Sequence, residues 1–116
     1  MEINVTADDG EVLRIEGSGP ITQGDVSRFD DPMRDLLGEA GFARKVVFGL
    51  ANVEYIDSSG MSWLMACHKR CRKEGGKLVI HSVPPVVMEV IKILKFHQVL
   101  RLAKNEKAAL AEVQRQ

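Results

Sequence analysis

Val46-Val47-Phe48-Gly49-Leu50-Ala51-Asn52-Val53-Glu54-Tyr55-Ile56-Asp57-Ser58-Ser59-Gly60-Met61-Ser62-Trp63 is the stretch from which the rest of the chain can be placed. It opens as an apolar, β-branched run, which reads as a strand buried on both faces. It closes on Asp57-Ser58-Ser59-Gly60, after which the apolar residues recur at helical spacing. Asp and Ser ahead of such a segment mark a helix start, because their oxygens accept from the orphan N–H groups of the first turn. Two hydroxyls and a carboxylate therefore gather where a strand hands over to a helix.

Working outward, the segments alternate. Glu2–Thr6 and Glu11–Glu16 read as two strands joined by Ala7-Asp8-Asp9-Gly10, where Asp-Gly supplies a tight hairpin turn. Gly17-Ser18-Gly19-Pro20 breaks the sheet, and Val26, Phe29, Met33, Leu36, Leu37 and Ala40 then fall at helical spacing. Pro32 inside that pattern removes a hydrogen bond, so the spacing predicts a loose turn at 25–29. A proper helix should start at Pro32, with Asp31 as its cap, and end before Gly41. The buried strand at 45–50 follows, then the 57–59 loop and a helix to Lys73 that ends on Glu74-Gly75-Gly76. Lys77–His81 reads as a strand, Pro84-Pro85 starts another helix, Val99–Leu102 is a short last strand, and Asn105 caps a final helix through Val113. Val46, Val47, Phe48, Leu64, Val79, Ile80, Val90 and Ile91 form the expected core. The order implies an α/β fold with a mixed, mostly parallel sheet, an N-terminal hairpin and about four helices.

At 116 residues, 45% hydrophobic and 28% charged, the chain has the make-up of one globular domain. The net charge is zero but unevenly placed. Residues 1–60 carry five Lys/Arg and twelve Asp/Glu, and residues 61–116 carry eleven and four. Such polarity suits docking to a protein surface and argues against nucleic acid, whose binders are usually basic as whole domains. Glu89, Lys92 and Lys95 interrupt the longest apolar stretch, so no membrane span is expected. The acidic N-terminus lacks a signal-peptide pattern, and two cysteines at i,i+4 favour reduced thiols. A cytoplasmic location is expected.

Val53-Glu54-Tyr55-Ile56-Asp57-Ser58-Ser59-Gly60-Met61 resembles the signature of the STAS domain, the fold of bacterial anti-sigma factor antagonists. Members of that family have an apolar residue followed by Asp-Ser-Ser/Thr-Gly-Leu at the start of their second helix. The resemblance covers nearly the whole chain, residues 1–116 forming one domain, and includes Lys73-Glu74-Gly75-Gly76-Lys77-Leu78 and Val83-Pro84-Pro85-Val86-Val87. Departures are Thr22 where an acid is common, Pro32 inside the first helix, and Trp63 where small residues are usual.

The resemblance implies an anti-sigma factor antagonist with Ser58 as the phosphorylated residue. Its partners would be an anti-sigma factor that is a serine/threonine kinase, and a serine phosphatase that resets the cycle. Asp57, Ser58, Ser59, Gly60, Met61 and Trp63 are the partner-binding residues on this reading, with Gly60 allowing close approach of a partner backbone. Trp63 also reads equally well as core. The alternative is a non-switching STAS subunit or scaffold in a stress-signalling or lipid-transport assembly, in which the serines are only a helix cap.

Other chemistries find less support. A nucleophile elbow needs glycines two before and two after the serine; Ile56 and Asp57 occupy the first position for Ser58 and Ser59. His68, His81 and His97 suggest no triad, so no enzyme is expected. Cys67, His68 and Cys71 lack the further ligands of a zinc site and read as core filling, with no metal or cofactor. Lys69, Arg70, Arg72 and Lys73 read as a solvated helix end favoured by the dipole. Gly75-Gly76-Lys77 lacks the rest of a phosphate loop.

Overall fold

The computed structural model describes residues 1–22 and 32–115. The expected turn at 25–29 and the Asp31 cap lie outside the described residues. Strands β1 (Glu2–Asp8) and β2 (Val12–Ser18) form the N-terminal hairpin, turning on Gly10 at φ 86°. Asp8 and Asp9 organise that turn: Asp8 Oδ1 accepts from the Gly10 amide, and Asp9 Oδ1 accepts from Glu11 and Val12. β2 pairs parallel with β3 (Lys45–Asn52), β3 with β4 (Lys77–His81), and β4 with β5 (Arg101–Ala103), giving the order β1-β2-β3-β4-β5. Among the described strands only the β1–β2 pair is antiparallel.

Period-two alternation along the strands decides how the layers stack. Val46, Phe48 and Leu50 of β3, with Leu78 and Ile80 of β4, face one cluster that also holds residues of α1 (Pro32–Leu37), α2 (Ser58–Lys73) and α3 (Pro85–Ile93). Val47 and Val79 face the opposite side, where Ala109 and Val113 of α4 (Glu106–Gln114) close a smaller cluster. β3 is thus covered on both faces, as its unbroken apolar run implies. Seven of the eight expected core residues are buried. Val90 is half-buried, because α3 points Val87 and Ile91 inward and leaves Val90 at the margin of that stripe.

Several boundaries differ from the sequence reading: β1 runs to Asp8, Gly17 and Ser18 continue β2 by pairing with Ile3 and Glu2 instead of breaking the sheet, β3 runs to Asn52, and α2 already begins at Ser58. α1 is described from Pro32, the residues before it lying outside the described ones; it stops at Leu37 and continues as a 3-10 turn over Gly38–Ala43. Gly38 adopts φ 65°, which breaks the α geometry early and brings Phe42, not Ala40, into the core. The last strand begins two residues later than expected. Lys95 at φ 61° turns the chain into a 3-10 turn over Phe96–Gln98, leaving Val99 at the surface and β5 at Arg101–Ala103.

Candidate functional site: the Ser58 loop

The loop between β3 and α2 is held from both sides. Residues just beyond β2 run alongside it: Gly19 and Ile21 donate to the carbonyls of Asn52 and Tyr55, each at 3.0 Å. In return the amides of Glu54 and Asp57 donate to the carbonyls of Gly19 and Ile21, at 3.3 and 3.1 Å. Ile21 and Ile56 pair as an isolated parallel bridge. This lacing fixes the approach to the helix before the helix begins.

Asp57 is the cap. Its backbone is extended, its Oδ1 accepts from the Gly60 amide at 2.8 Å, and its carbonyl accepts from Met61 at 2.9 Å. Ser58 and Ser59 are then the first two helical residues; Ser58 is exposed and Ser59 half-buried. The cap takes Gly60 and leaves the positive end of the helix dipole at the Ser58 and Ser59 amides.

The remaining sequence-identified positions turn inward. Gly60 is buried, and a Cβ on it would lie 2.5 Å from the Ile21 carbonyl oxygen and 2.8 Å from side-chain atoms of Ile21 and Ile56. The close approach that needs glycine is thus made by the protein's own backbone, which corrects the expectation that a partner's backbone uses it. Met61 is 0% exposed and belongs to the main core cluster, so its side chain does not reach the surface. Trp63, 8% exposed, packs edge-on against Phe48 with ring centroids 6.3 Å apart. Of its two readings the core one holds, because the helical stripe that carries Leu64 also carries the indole onto the sheet. Of the six positions, Ser58 is exposed and Asp57 and Ser59 are half-buried, while the other three are buried.

Tyr55 was not singled out from the sequence and is 49% exposed three residues before Ser58. It lies in the connection after β3, which ends at Asn52. The signal available was Glu54 beside it, a charge in an otherwise apolar run.

Cys67 and Cys71 are buried thiols, and burial pushes Cys71 up to about 11, so it is protonated and unreactive. His68 is 2% exposed, and neither ring nitrogen has a hydrogen-bond partner among the described residues. Burial, and then the nearby cations Arg101, Arg72 and Lys69, hold its pKa below the usual histidine value. Among the described residues no three His, Cys, Asp or Glu side chains gather as metal ligands would. Arg70 is not simply solvated: its guanidinium stands 4.1 Å over the Phe42 ring. Lys77 is occupied too, its ammonium donating to the carbonyls of Glu112 and Arg115 at the end of α4. No described helix is long and apolar enough to cross a membrane.

The STAS domain model matches residues 2–109. The chain belongs to the STAS domain family. Among relatives of this STAS chain, BtrV of Bordetella bronchiseptica, provisionally described as an anti-sigma factor antagonist, is 34% identical over 68 residues. That match spans 59% of this chain and 59% of BtrV. The anti-sigma F factor antagonist of Paenibacillus polymyxa is 26% identical over 87 residues, covering 72% of this chain and 74% of that one. The fold is shared with an anti-sigma factor antagonist from Mycobacterium paratuberculosis, at TM-score 0.79 and 19% identity over 98% of this chain and 96% of the other. The phosphorylated form of the Bacillus cell fate determinant SpoIIAA superposes at TM-score 0.65 and 14% identity, covering 97% of this STAS chain and all (100%) of that one.

Proposed function

We propose that this STAS protein is an anti-sigma factor antagonist switched by phosphorylation at Ser58. Unmodified, it docks through the Ser58 loop on an anti-sigma factor that is a serine/threonine kinase, and so frees the sigma factor. That kinase transfers phosphate from its own ATP to the Ser58 hydroxyl, the antagonist leaves, and a serine phosphatase restores it. The chain is the substrate in this cycle and not the catalyst.

The observation that carries the reading is an exposed Ser58 hydroxyl at the first helical position of a loop fixed by Asp57 and by the Ile21 segment. A phosphate there adds about −1.5 to −2 charges at pH 7. The helix N-terminus favours that charge, while Asp57 opposes it by like-charge repulsion. The loop keeps its shape and changes its potential. Seated in an interface, an unpaired dianion costs several kcal/mol of desolvation, enough to reverse docking.

Incubation with a candidate anti-sigma kinase and ATP, followed by intact mass, tests the proposal. One added phosphate is expected on the parent chain and none on Ser58→Ala. Phosphate on both chains alike removes Ser58 as the site.

A further inference from the structure

Ser58 begins a stripe along the outer face of α2 that continues through Ser62 and Ala66 to Lys69 and Lys73. At about 1.5 Å per residue, Ser62 stands about 6 Å from Ser58 along the axis. From Ser62 onward the stripe is one wall of an open groove of about 420 Å3, lined by Ser62, Met65, Ala66, Lys69, Phe96 and Val99. Val99 is 44% exposed, and Ile93 and Leu94, shortly before Phe96 in the chain, are 71% and 43% exposed. They are three of the six large hydrophobic residues exposed among the described residues. Lys69 is shared with a second hollow of about 320 Å3 lined by Lys69, Arg72 and Lys73. An apolar trough thus runs from beside Ser58 directly into a cluster of cations.

We infer that this groove receives an amphipathic helix of the anti-sigma partner, with its apolar side in the trough and acidic residues against Lys69, Arg72 and Lys73. The inference rests on the anti-sigma reading for the partner's identity. The occupant's chemistry comes from the groove itself: an apolar floor two helical turns long, and one sign of charge at its far end. Ser62 and Ala66, small and one turn apart, let the incoming backbone come close.

The test uses the full chain, labelled with nitrogen-15, and two short synthetic amphipathic helices with the same leucine face, one with an all-Glu polar face and one all-Lys. The Glu peptide should shift the amides of Ser62–Lys69 and Phe96–Val99 saturably, and the Lys peptide should not. Lys69→Glu and Ala66→Glu, both at exposed positions, should weaken the Glu peptide by about tenfold or more while leaving the circular dichroism spectrum unchanged. Equal shifts with both peptides, shifts confined to other surfaces, or a dimer in sedimentation that Ala66→Glu dissolves would each overturn the inference. Peptide binding without Ser58 phosphorylation by the kinase would refute the switch and keep the groove; phosphorylation without groove binding would do the reverse.

Discussion

Gly60 shows how little freedom the Ser58 loop has. A methyl group there meets the Ile21 carbonyl at 2.5 Å, and a main-chain atom laced into the sheet cannot step aside. Gly60→Ala should therefore destabilise the protein by about 1–3 kcal/mol despite alanine's better helix propensity, read as a lower urea midpoint at unchanged slope. Asp57→Ala removes the side-chain acceptor from Gly60 and should cost about 1 kcal/mol. It also removes the neighbour that repels a phosphate, so its effect on kinase turnover has two signs; loss of loop geometry should dominate, and phosphorylation should slow. His68 makes a prediction in pH. Its native pKa lies below the 6.5 of an unperturbed histidine, so below that pH the unfolded chain takes up a proton the native chain refuses. Stability should fall as pH drops from about 7 to about 5.5, and His68→Leu, which removes a buried imidazole with no hydrogen-bond partner among the described residues, should flatten that slope. An unchanged slope would place the pH dependence elsewhere, His81 being the other buried histidine shifted down by burial.

Elements were legible where local chemistry and tertiary packing agree. The Asp57 and Asn105 caps, the Asp-Gly hairpin, the Pro85 helix start and the strand at Lys77–His81 each follow from residues adjacent in sequence. Boundaries shifted where a single backbone angle decided them, at Gly38 and Lys95, since a positive φ at Lys95 has no signature in side-chain pattern. The contact between the Ile21 segment and Gly60 was invisible because it joins residues far apart in the chain. At this scale the two-sided burial of β3 and its neighbour makes a quantitative expectation. Leu64→Ala on α2 and Ile80→Ala on β4, both essentially unexposed, should each cost about 2–5 kcal/mol, measured by denaturant unfolding. Val90→Ala, on the half-buried margin of α3, should cost clearly less.

The whole molecule separates its tasks by layer. The sheet and the packing of α2 and α3 hold Met61 and Trp63 in the core, so that a rigid platform presents Asp57, Ser58 and Ser59. Of the candidate site, the cap and the serine pair could be read from sequence; the inward turn of Gly60, Met61 and Trp63 could not, because it depends on which face of α2 meets β3. The charge imbalance between the two halves of the chain was legible as well, and part of it resolves into the Lys69, Arg72 and Lys73 cluster on α2. The central claim is that this platform works as a switch whose only moving part is charge at Ser58. Phosphopeptide mapping after reaction with the partner kinase and ATP, paired with binding of the same kinase before and after reaction, tests it most directly. The account predicts label on Ser58, release of the labelled chain, and a Ser58→Ala chain that stays folded, stays bound and is never released. Label on Ser59 alone, no label, or a phosphorylated chain that remains bound would contradict it.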